Sequence, residues 1–263
     1  MMKHLFSLLF ACLLSISAQA AIKGEEVSYK VGDTTMKGYL AYDDATSAKR
    51  PGVLVVHEWW GHNEYARMRA RKLAEMGYTA LAVDMYGDGK TASHPDDAGK
   101  FATAVNSNAD ERRARFIAAE SLLDSHPTVD KNETAAIGYC FGGGVVLNMA
   151  REGLGLKGVA SFHGSLGTNN PAQSGKVKAR VLILNGEDDA MAPAQTVADF
   201  KKEMDSAGVN YKFVNYPGAK HSFTNPDADK FGTQFNMPLA YNAEADKASW
   251  SELEKFLKSI FKK

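Results

Sequence analysis

One cysteine of this sequence has neighbours that suit a nucleophile. The stretch Gly138-Tyr139-Cys140-Phe141-Gly142 follows a β-type run and precedes a helical pattern, as in a nucleophile elbow with cysteine in place of serine. Such a turn strains the nucleophile's backbone, so the residues two positions away on either side must be small. The thiol would lie at a helix N-terminus, whose partial positive charge favours the thiolate. The backbone N–H of Phe141 would then be available to an oxyanion.

An acid and a base follow this elbow in the order that such a site requires. Asp189 comes just after the predicted strand Val181–Leu184, and His221 comes just after the predicted strand Tyr211–Tyr216. A nucleophile elbow predicts an acid after a later strand and a histidine after a still later one. The acid would orient the imidazole, which would hold the thiol proton. Asp188 is an alternative to its neighbour as the acid.

The segment His57–His62 is a third place where chemistry is expected. It follows the first buried strand, in a loop that borders the active site in this topology, and Trp59 is expected to donate the second oxyanion N–H. Glu58 would lie in an apolar, aromatic pocket, where its pKa should rise. A zinc site is disfavoured because His57 and His62 lie five apart on a strand-to-loop segment, whereas the metalloprotease pattern needs two histidines four apart on a helix.

Short apolar runs alternate with helical patterns through most of the chain, which predicts an α/β fold with a mostly parallel central sheet and helices on both faces. Glu25–Lys30 and Thr35–Tyr42 predict an antiparallel N-terminal hairpin at a sheet edge. The stretch Tyr86–Ser107 has weak periodicity, so it is expected to form a long surface loop or a short helix. The sequence does not determine whether residues 86–107 form a lid over the site. Further strands are predicted at Val53–Val56, Thr79–Val83, Ala135–Gly138 and Val159–Phe162.

Composition and charge exclude several classes of protein. The chain has 263 residues, of which 44% are hydrophobic and 24% charged, so it is neither disordered nor collagen-like. Its 31 basic and 31 acidic side chains give no bulk charge to recruit nucleic acid or an anionic membrane. Two cysteines exclude a disulfide-stapled scaffold.

The first twenty residues predict a cleavable export signal. A short basic start precedes the mostly apolar run Leu5–Ile16, and small residues then favour cleavage after Ala20. The run is too short to span a bilayer. Cleavage would remove Cys12 and leave Cys140 as the only thiol. We therefore expect a signal peptide at 1–20, a single domain at 21–263, and a periplasmic or secreted mature protein.

Three motifs together resemble the dienelactone hydrolase family. They are the cysteine elbow at 138–143, the His-Glu-Trp-Trp-Gly segment beginning at His57, and Gly-Ala-Lys-His-Ser-Phe around His221. The similarity runs from about Gly24 to the C-terminus and includes Asp84-Met85-Tyr86. The cysteine elbow is fairly specific, because most α/β-hydrolases use serine there.

The resemblance implies an α/β-hydrolase fold, a thiol nucleophile at Cys140, a triad completed by Asp189 and His221, and an oxyanion hole from Trp59 and Phe141. It also implies that Glu58 contacts the resting thiol and helps to deprotonate it when substrate arrives.

The sequence departs from well-known members of the family where they bind a substrate carboxylate. Those enzymes use two arginines, one shortly after the Asp-x-Tyr stretch and one four residues beyond the histidine. Here the first region reads Gly87-Asp88-Gly89-Lys90, and the second position is Asn225. A neutral ester, lactone or thioester is therefore at least as good a candidate substrate as dienelactone.

These observations predict a cofactor-free hydrolase of a small carboxylic ester or lactone that forms a thioester intermediate. A non-catalytic binding protein with the same fold and pocket is the alternative, and a redox thiol is disfavoured because the mature chain would lack a resolving cysteine. The mature chain is expected to be monomeric, with a small-molecule substrate, no nucleic acid and no insertion into a membrane. Four residues are candidates to wall an apolar pocket: Trp60, Tyr86, Met191 and Phe223.

Overall fold

The computed structural model describes residues 22–261, so the predicted export signal at 1–20 lies outside the described residues. Within that range, no helix has the length and apolar character needed to cross a membrane.

The centre of the molecule is an eight-stranded sheet in the order β1-β2-β4-β3-β5-β6-β7-β8. The first two strands pair antiparallel, as the hairpin pattern predicted, and β2 joins β4 antiparallel. The pairings among β3 to β8 are parallel. The strands are β1 (Ile22–Val31), β2 (Thr34–Asp43), β3 (Arg50–Val56), β4 (Thr79–Val83), β5 (Val129–Tyr139), β6 (Gly158–Phe162), β7 (Arg180–Gly186) and β8 (Tyr211–Tyr216).

Helices cover both faces of the sheet because its central strands carry apolar side chains on both sides. One apolar cluster joins the sheet to α3, α4 and α5, and the other joins it to α1 and α7. The mostly parallel sheet with helices on both faces is thus confirmed. The helices are α1 (Glu64–Glu75), α2 (Pro95–Ser107), α3 (Ala109–Ser125), α4 (Phe141–Arg151), α5 (Ala194–Ser206), α6 (Ala228–Phe235) and α7 (Ala243–Ile260).

The structure contains two helices, α2 and α6, that the sequence pattern did not clearly predict. The stretch 86–107, expected as a loop or a short helix, contains the 13-residue helix α2. Its pattern was weak because only Ala98 and Val105 are buried along it. The His94 side chain caps its start by accepting a hydrogen bond from the backbone N–H of Asp96. The helix α6 follows the His221 loop and was not predicted; its only buried residue is Ala228.

The buried carboxylate of Asp84 organises the turn after β4. It accepts hydrogen bonds from the backbone N–H groups of Tyr86 at 2.9 Å, Gly87 at 2.8 Å, Gly89 at 2.8 Å and, on strand β2, Lys37 at 3.0 Å. A buried carboxylate is tolerated only when its oxygens are satisfied in this way. Asp84 therefore holds the 84–89 loop against the sheet, which explains the Asp84-Met85-Tyr86 motif structurally.

Replacing Asp84 with alanine should destabilise the fold strongly, because four backbone donors lose their acceptor. We expect Asp84→Ala to lower the free energy of unfolding by about 3 kcal/mol or more, measured by urea denaturation. The matched control is Asp43→Ala, which removes one hydrogen bond, to the N–H of Ala45, and should cost less than about 1 kcal/mol. Equal losses in the two variants would contradict this account of the loop.

Candidate active site

Cys140 lies at the sharp turn between β5 and α4, with φ 52° and ψ −115°. This backbone conformation is strained for a residue with a side chain and occurs mainly at functional sites. Two hydrogen bonds hold the turn: the N–H of Cys140 donates to the carbonyl of Phe162 at 3.0 Å, and the N–H of Gly142 donates to the carbonyl of His57 at 3.1 Å. The turn is therefore held by strand β6 on one side and by the residue that follows β3 on the other.

Neither glycine of the elbow has room for a side chain. A Cβ on Gly138 would lie 2.1 Å from the carbonyl oxygen of Gly142, and a Cβ on Gly142 would lie 2.3 Å from the carbonyl oxygen of Val56. These atoms are backbone and cannot move aside without distorting the sheet. The Gly-x-Cys-x-Gly spacing is thus a steric condition for presenting Cys140.

Asp189 and His221 meet at the carboxyl edge of the sheet. The loop after β7 carries Asp189, and the loop after β8 carries His221, so that the aspartate Oδ2 lies 2.8 Å from the imidazole Nδ1. The other oxygen, Oδ1, accepts from the backbone N–H of Met191 at 2.8 Å. Asp188, the alternative acid, is exposed. Of the two candidates, only Asp189 is placed to orient the imidazole.

The His221 imidazole is buried in a negatively charged setting. Burial opposes its protonation, but the negative charges of Cys140 and Asp189, with the hydrogen bond to Asp189, outweigh that effect and raise the pKa of His221 to about 10. Its Nε2 makes no hydrogen bond of good geometry within residues 22–261. Contacts of this kind commonly tighten only when substrate binds. The charges and the hydrogen bond around His221 therefore favour its protonated form.

Two backbone N–H groups are placed as candidates for an oxyanion hole. Phe141 is the first residue of α4, so its N–H has no acceptor within the helix. Trp59 lies in the loop after β3, and its carbonyl accepts from the Tyr86 hydroxyl at 2.9 Å. Both residues line the same cavity as Cys140. The loop that Asp84 organises therefore also fixes the position of Trp59.

His57 has a structural part in this arrangement. Its Nε2 accepts from the backbone N–H of Met85 at 3.2 Å, so its Nδ1 donates to the carbonyl of Glu58, 2.6 Å away. Its ring stacks on Phe141, and burial lowers its pKa. In residues 22–261 no group of three or more His, Cys, Asp or Glu side chains is placed to hold a metal ion.

The Glu58 carboxyl is buried, and burial raises its pKa, as the sequence predicted. Its Oε1 accepts from the Ser222 hydroxyl at 2.9 Å, and its Oε2 accepts from the Asn225 amide at 2.5 Å. No hydrogen bond joins it to Cys140 within the described chain. The thiol contact implied by the resemblance therefore stays a prediction. Glu58 ties the β3 loop to the loop of His221.

The cavity at Cys140 has a volume of about 190 Å³. Met191 lines it, as expected for the apolar pocket. Residues that the sequence pattern did not indicate come from α2, from the loop after β6 and from the segment after α6. They lack any catalytic signature in the sequence, and only the tertiary structure brings them to the cavity: Ala102, Asn106, Gly164, Ser165, Met237 and Leu239.

Three predicted pocket residues do not line this cavity. Trp60 is buried and stacks on Phe231 of α6, with ring centroids 4.5 Å apart. Tyr86 is turned into the core, where it packs on Phe141. Phe223 is fully buried. Their apolar character serves packing, which a sequence pattern does not distinguish from a pocket wall.

Stability should fall with rising pH through the titration of His221. An unfolded histidine titrates near 6.5, so this contribution is fully present below that pH and is lost as the pH rises to about 10, the pKa in the folded chain. The free energy of unfolding, measured in urea between about pH 7 and 10, should fall more steeply in wild type than in His221→Gln.

His126 provides the control for this measurement. Burial lowers its pKa, so it is largely neutral in both folded and unfolded chains above about pH 7, and His126→Gln should keep the wild-type slope. Equal slopes in wild type and His221→Gln would contradict the charge assignment at the site.

Known proteins are similar to this chain in both sequence and fold. Residues 36–261 match the sequence profile of the Dienelactone hydrolase family. The Protein usf of Aquifex pyrophilus is 28% identical over 206 residues, which span 77% of this chain and 87% of that protein. A Synechocystis protein, provisionally named a carboxymethylenebutenolidase, is 26% identical over 86% of this chain and 92% of its own length.

The solved structure of a dienelactone hydrolase-like promiscuous phosphotriesterase from metagenomic libraries superposes with a TM-score of 0.84. It is 32% identical and covers 92% of this chain and 100% of its own. The fold is also that of solved α/β-hydrolase enzymes. Because the family profile spans most of the sequence and includes the cysteine elbow, this chain belongs to the dienelactone hydrolase family.

Proposed function

We propose that this protein hydrolyses a small, neutral carboxylic ester or lactone through a thioester on Cys140. Membership of the family and the name of the Synechocystis relative support hydrolysis of a carboxylic ester or lactone. The observation that carries the mechanism is the strained Cys140 lining the same cavity as a His221 already hydrogen-bonded to Asp189.

The first half-reaction forms the thioester. The Cys140 sulfur, whose proton resides on His221, attacks the carbonyl carbon, and the developing oxyanion accepts from the N–H groups of Phe141 and Trp59. His221 then gives its proton to the leaving alkoxide as the ester C–O bond breaks. Asp189 keeps the imidazole in the orientation that this transfer requires.

The second half-reaction releases the acid. A water molecule enters, His221 removes one of its protons, and the resulting hydroxide attacks the thioester carbonyl. The C–S bond breaks, the carboxylic acid leaves, and the sulfur and His221 return to their starting state. Glu58 acts as a positioning residue, because its bonds to Ser222 and Asn225 hold the loop on which His221 lies.

The lining of the cavity supports a neutral substrate. His221 is the only lining residue that can carry a positive charge. Asn225, at the position of one family arginine, donates to Glu58, and Lys90 pairs with Asp88 at 3.3 Å. Among residues 22–261, no free cation is therefore placed in this cavity to bind a substrate carboxylate. Residues 1–20 support export of the mature enzyme.

Removing the sulfur tests the proposal directly. We expect Cys140→Ala to lower kcat/KM on short-chain p-nitrophenyl esters and lactones by about 10³-fold or more, and to abolish the covalent adduct seen on wild type by mass spectrometry. His126→Gln, a histidine outside the cavity, should keep full activity. Unchanged turnover in Cys140→Ala would end the proposal, and a wild type that turns over no activated ester would favour a binding protein.

The acid can be tested against its immediate neighbour. Asp189→Asn should lower kcat by about 10²–10⁴-fold, because an amide no longer holds the imidazole as a carboxylate does. Asp188→Asn is the matched control, since that side chain is exposed, and it should leave kcat within about twofold of wild type. A larger loss in Asp188→Asn than in Asp189→Asn would reverse the assignment.

A further inference from the structure

A second and larger cavity adjoins the one at Cys140. It has a volume of about 440 Å³ and shares Asn106, Phe141 and Ser165 with the first cavity. This volume lies within the range of ordinary ligand pockets, about 300–1,000 Å³. A substrate whose carbonyl lies at Cys140 can therefore extend past the Phe141 side chain into this second cavity.

Four of the residues that line the second cavity carry amide side chains. Asn106 comes from the end of α2, Asn148 from α4, and Asn169 and Asn170 from the loop after β6. Asn148 is the one residue of α4 that is not buried. Its Oδ1 accepts from the Thr168 hydroxyl at 3.0 Å, which leaves its amide N–H groups available to a ligand. An amide both donates and accepts hydrogen bonds, as a hydroxyl does.

The one charged side chain that lines the second cavity, among residues 22–261, already has partners. It is Arg112, whose guanidinium donates to Glu152, a carboxylate shared with Arg113, at 3.1 Å and to the carbonyl of Asn106 at 3.3 Å. An anionic group would find no free cation there, and a cationic group would find no carboxylate among the lining residues. A neutral group that forms hydrogen bonds fits this lining best.

We infer that the second cavity binds a neutral, hydroxyl-bearing part of the substrate, while the first cavity holds the reacting ester. This inference rests on the proposed hydrolase function and names the substrate class more narrowly. The hydroxyl groups would bond to Asn148 and its neighbouring amides. Hydrogen-bonding sites of this kind discriminate well against analogues that lack the hydroxyl, because the amides would then be left without partners.

The experiment compares matched esters that differ in one hydroxyl group. The acyl arm uses p-nitrophenyl butyrate, its β-hydroxybutyrate analogue and its hemisuccinate analogue; the alcohol arm uses ethyl acetate and glyceryl monoacetate. Wild type should prefer the hydroxylated ester in at least one arm. Asn148→Leu should lower kcat/KM for that ester by about three- to tenfold and leave the plain ester within about twofold.

Two further variants keep the result interpretable. Asn169→Ala alters an exposed residue of the lining, so a loss of hydroxyl preference in this variant cannot come from misfolding. Asn132→Leu lies outside both cavities and should match wild type in both arms.

The outcomes separate the two proposals. A loss of hydroxyl preference in Asn148→Leu and Asn169→Ala supports the inference, and the arm in which it occurs identifies the part of the substrate that is bound. An unchanged ratio of hydroxylated to plain ester in both variants, or a wild-type preference for hemisuccinate, overturns it. Turnover that persists in Cys140→Ala would instead refute the thioester mechanism.

Discussion

The site depends on holding Cys140 in a backbone conformation that an ordinary residue avoids. Such strain costs about 1–3 kcal/mol, and favourable contacts in the surrounding structure must offset this cost. Here the carbonyls of Phe162 and His57 accept the N–H groups of Cys140 and Gly142. Every residue of α4 except Asn148 is buried, so the helix cannot shift to relax the turn. The sulfur is consequently presented at the edge of the sheet by the packing of the whole α4 layer.

Hydrogen bonds between buried polar groups hold the other loops of the site in place. Asp84 holds the loop of Tyr86, and the Tyr86 hydroxyl binds the carbonyl of Trp59. Glu58, the next residue back along the chain, holds Ser222 of the His221 loop. The loops after β3, β4 and β8 are therefore connected by hydrogen bonds among buried groups, which are costly to break. These contacts preorganise the site before substrate arrives.

Charge decides what such a site can accept. The positive charge at the first cavity belongs to His221, whose imidazole is hydrogen-bonded to Asp189, and the guanidinium at the second cavity donates to Glu152. A substrate carboxylate would lose its hydration without gaining an ion pair. Neutral esters avoid that loss, which is why the two cavities together favour neutral substrates that form hydrogen bonds.

Much of this arrangement follows from the amino-acid order alone. Cys140, Asp189 and His221 each follow a strand, and the carboxyl ends of parallel strands meet at one edge of a sheet, so their convergence was predictable. The glycines around Cys140 and the apolar runs of β3 to β8 were likewise sufficient to predict the elbow and the sheet. These features depend on local sterics and on periodicity, which a single sequence records.

The rest was decided by contacts between residues far apart in the chain. Whether Asp188 or Asp189 faces the imidazole depends on how one loop turns, and the partners of Glu58 lie more than 160 positions away. The helices α2 and α6 have few buried residues, so their sequences carried little signal, yet α2 and the segment after α6 help to close the cavity. The sequence does not show whether an aromatic residue such as Trp60 packs in the core or lines a pocket, because that depends on its neighbours in space. Only the tertiary structure brings those neighbours together.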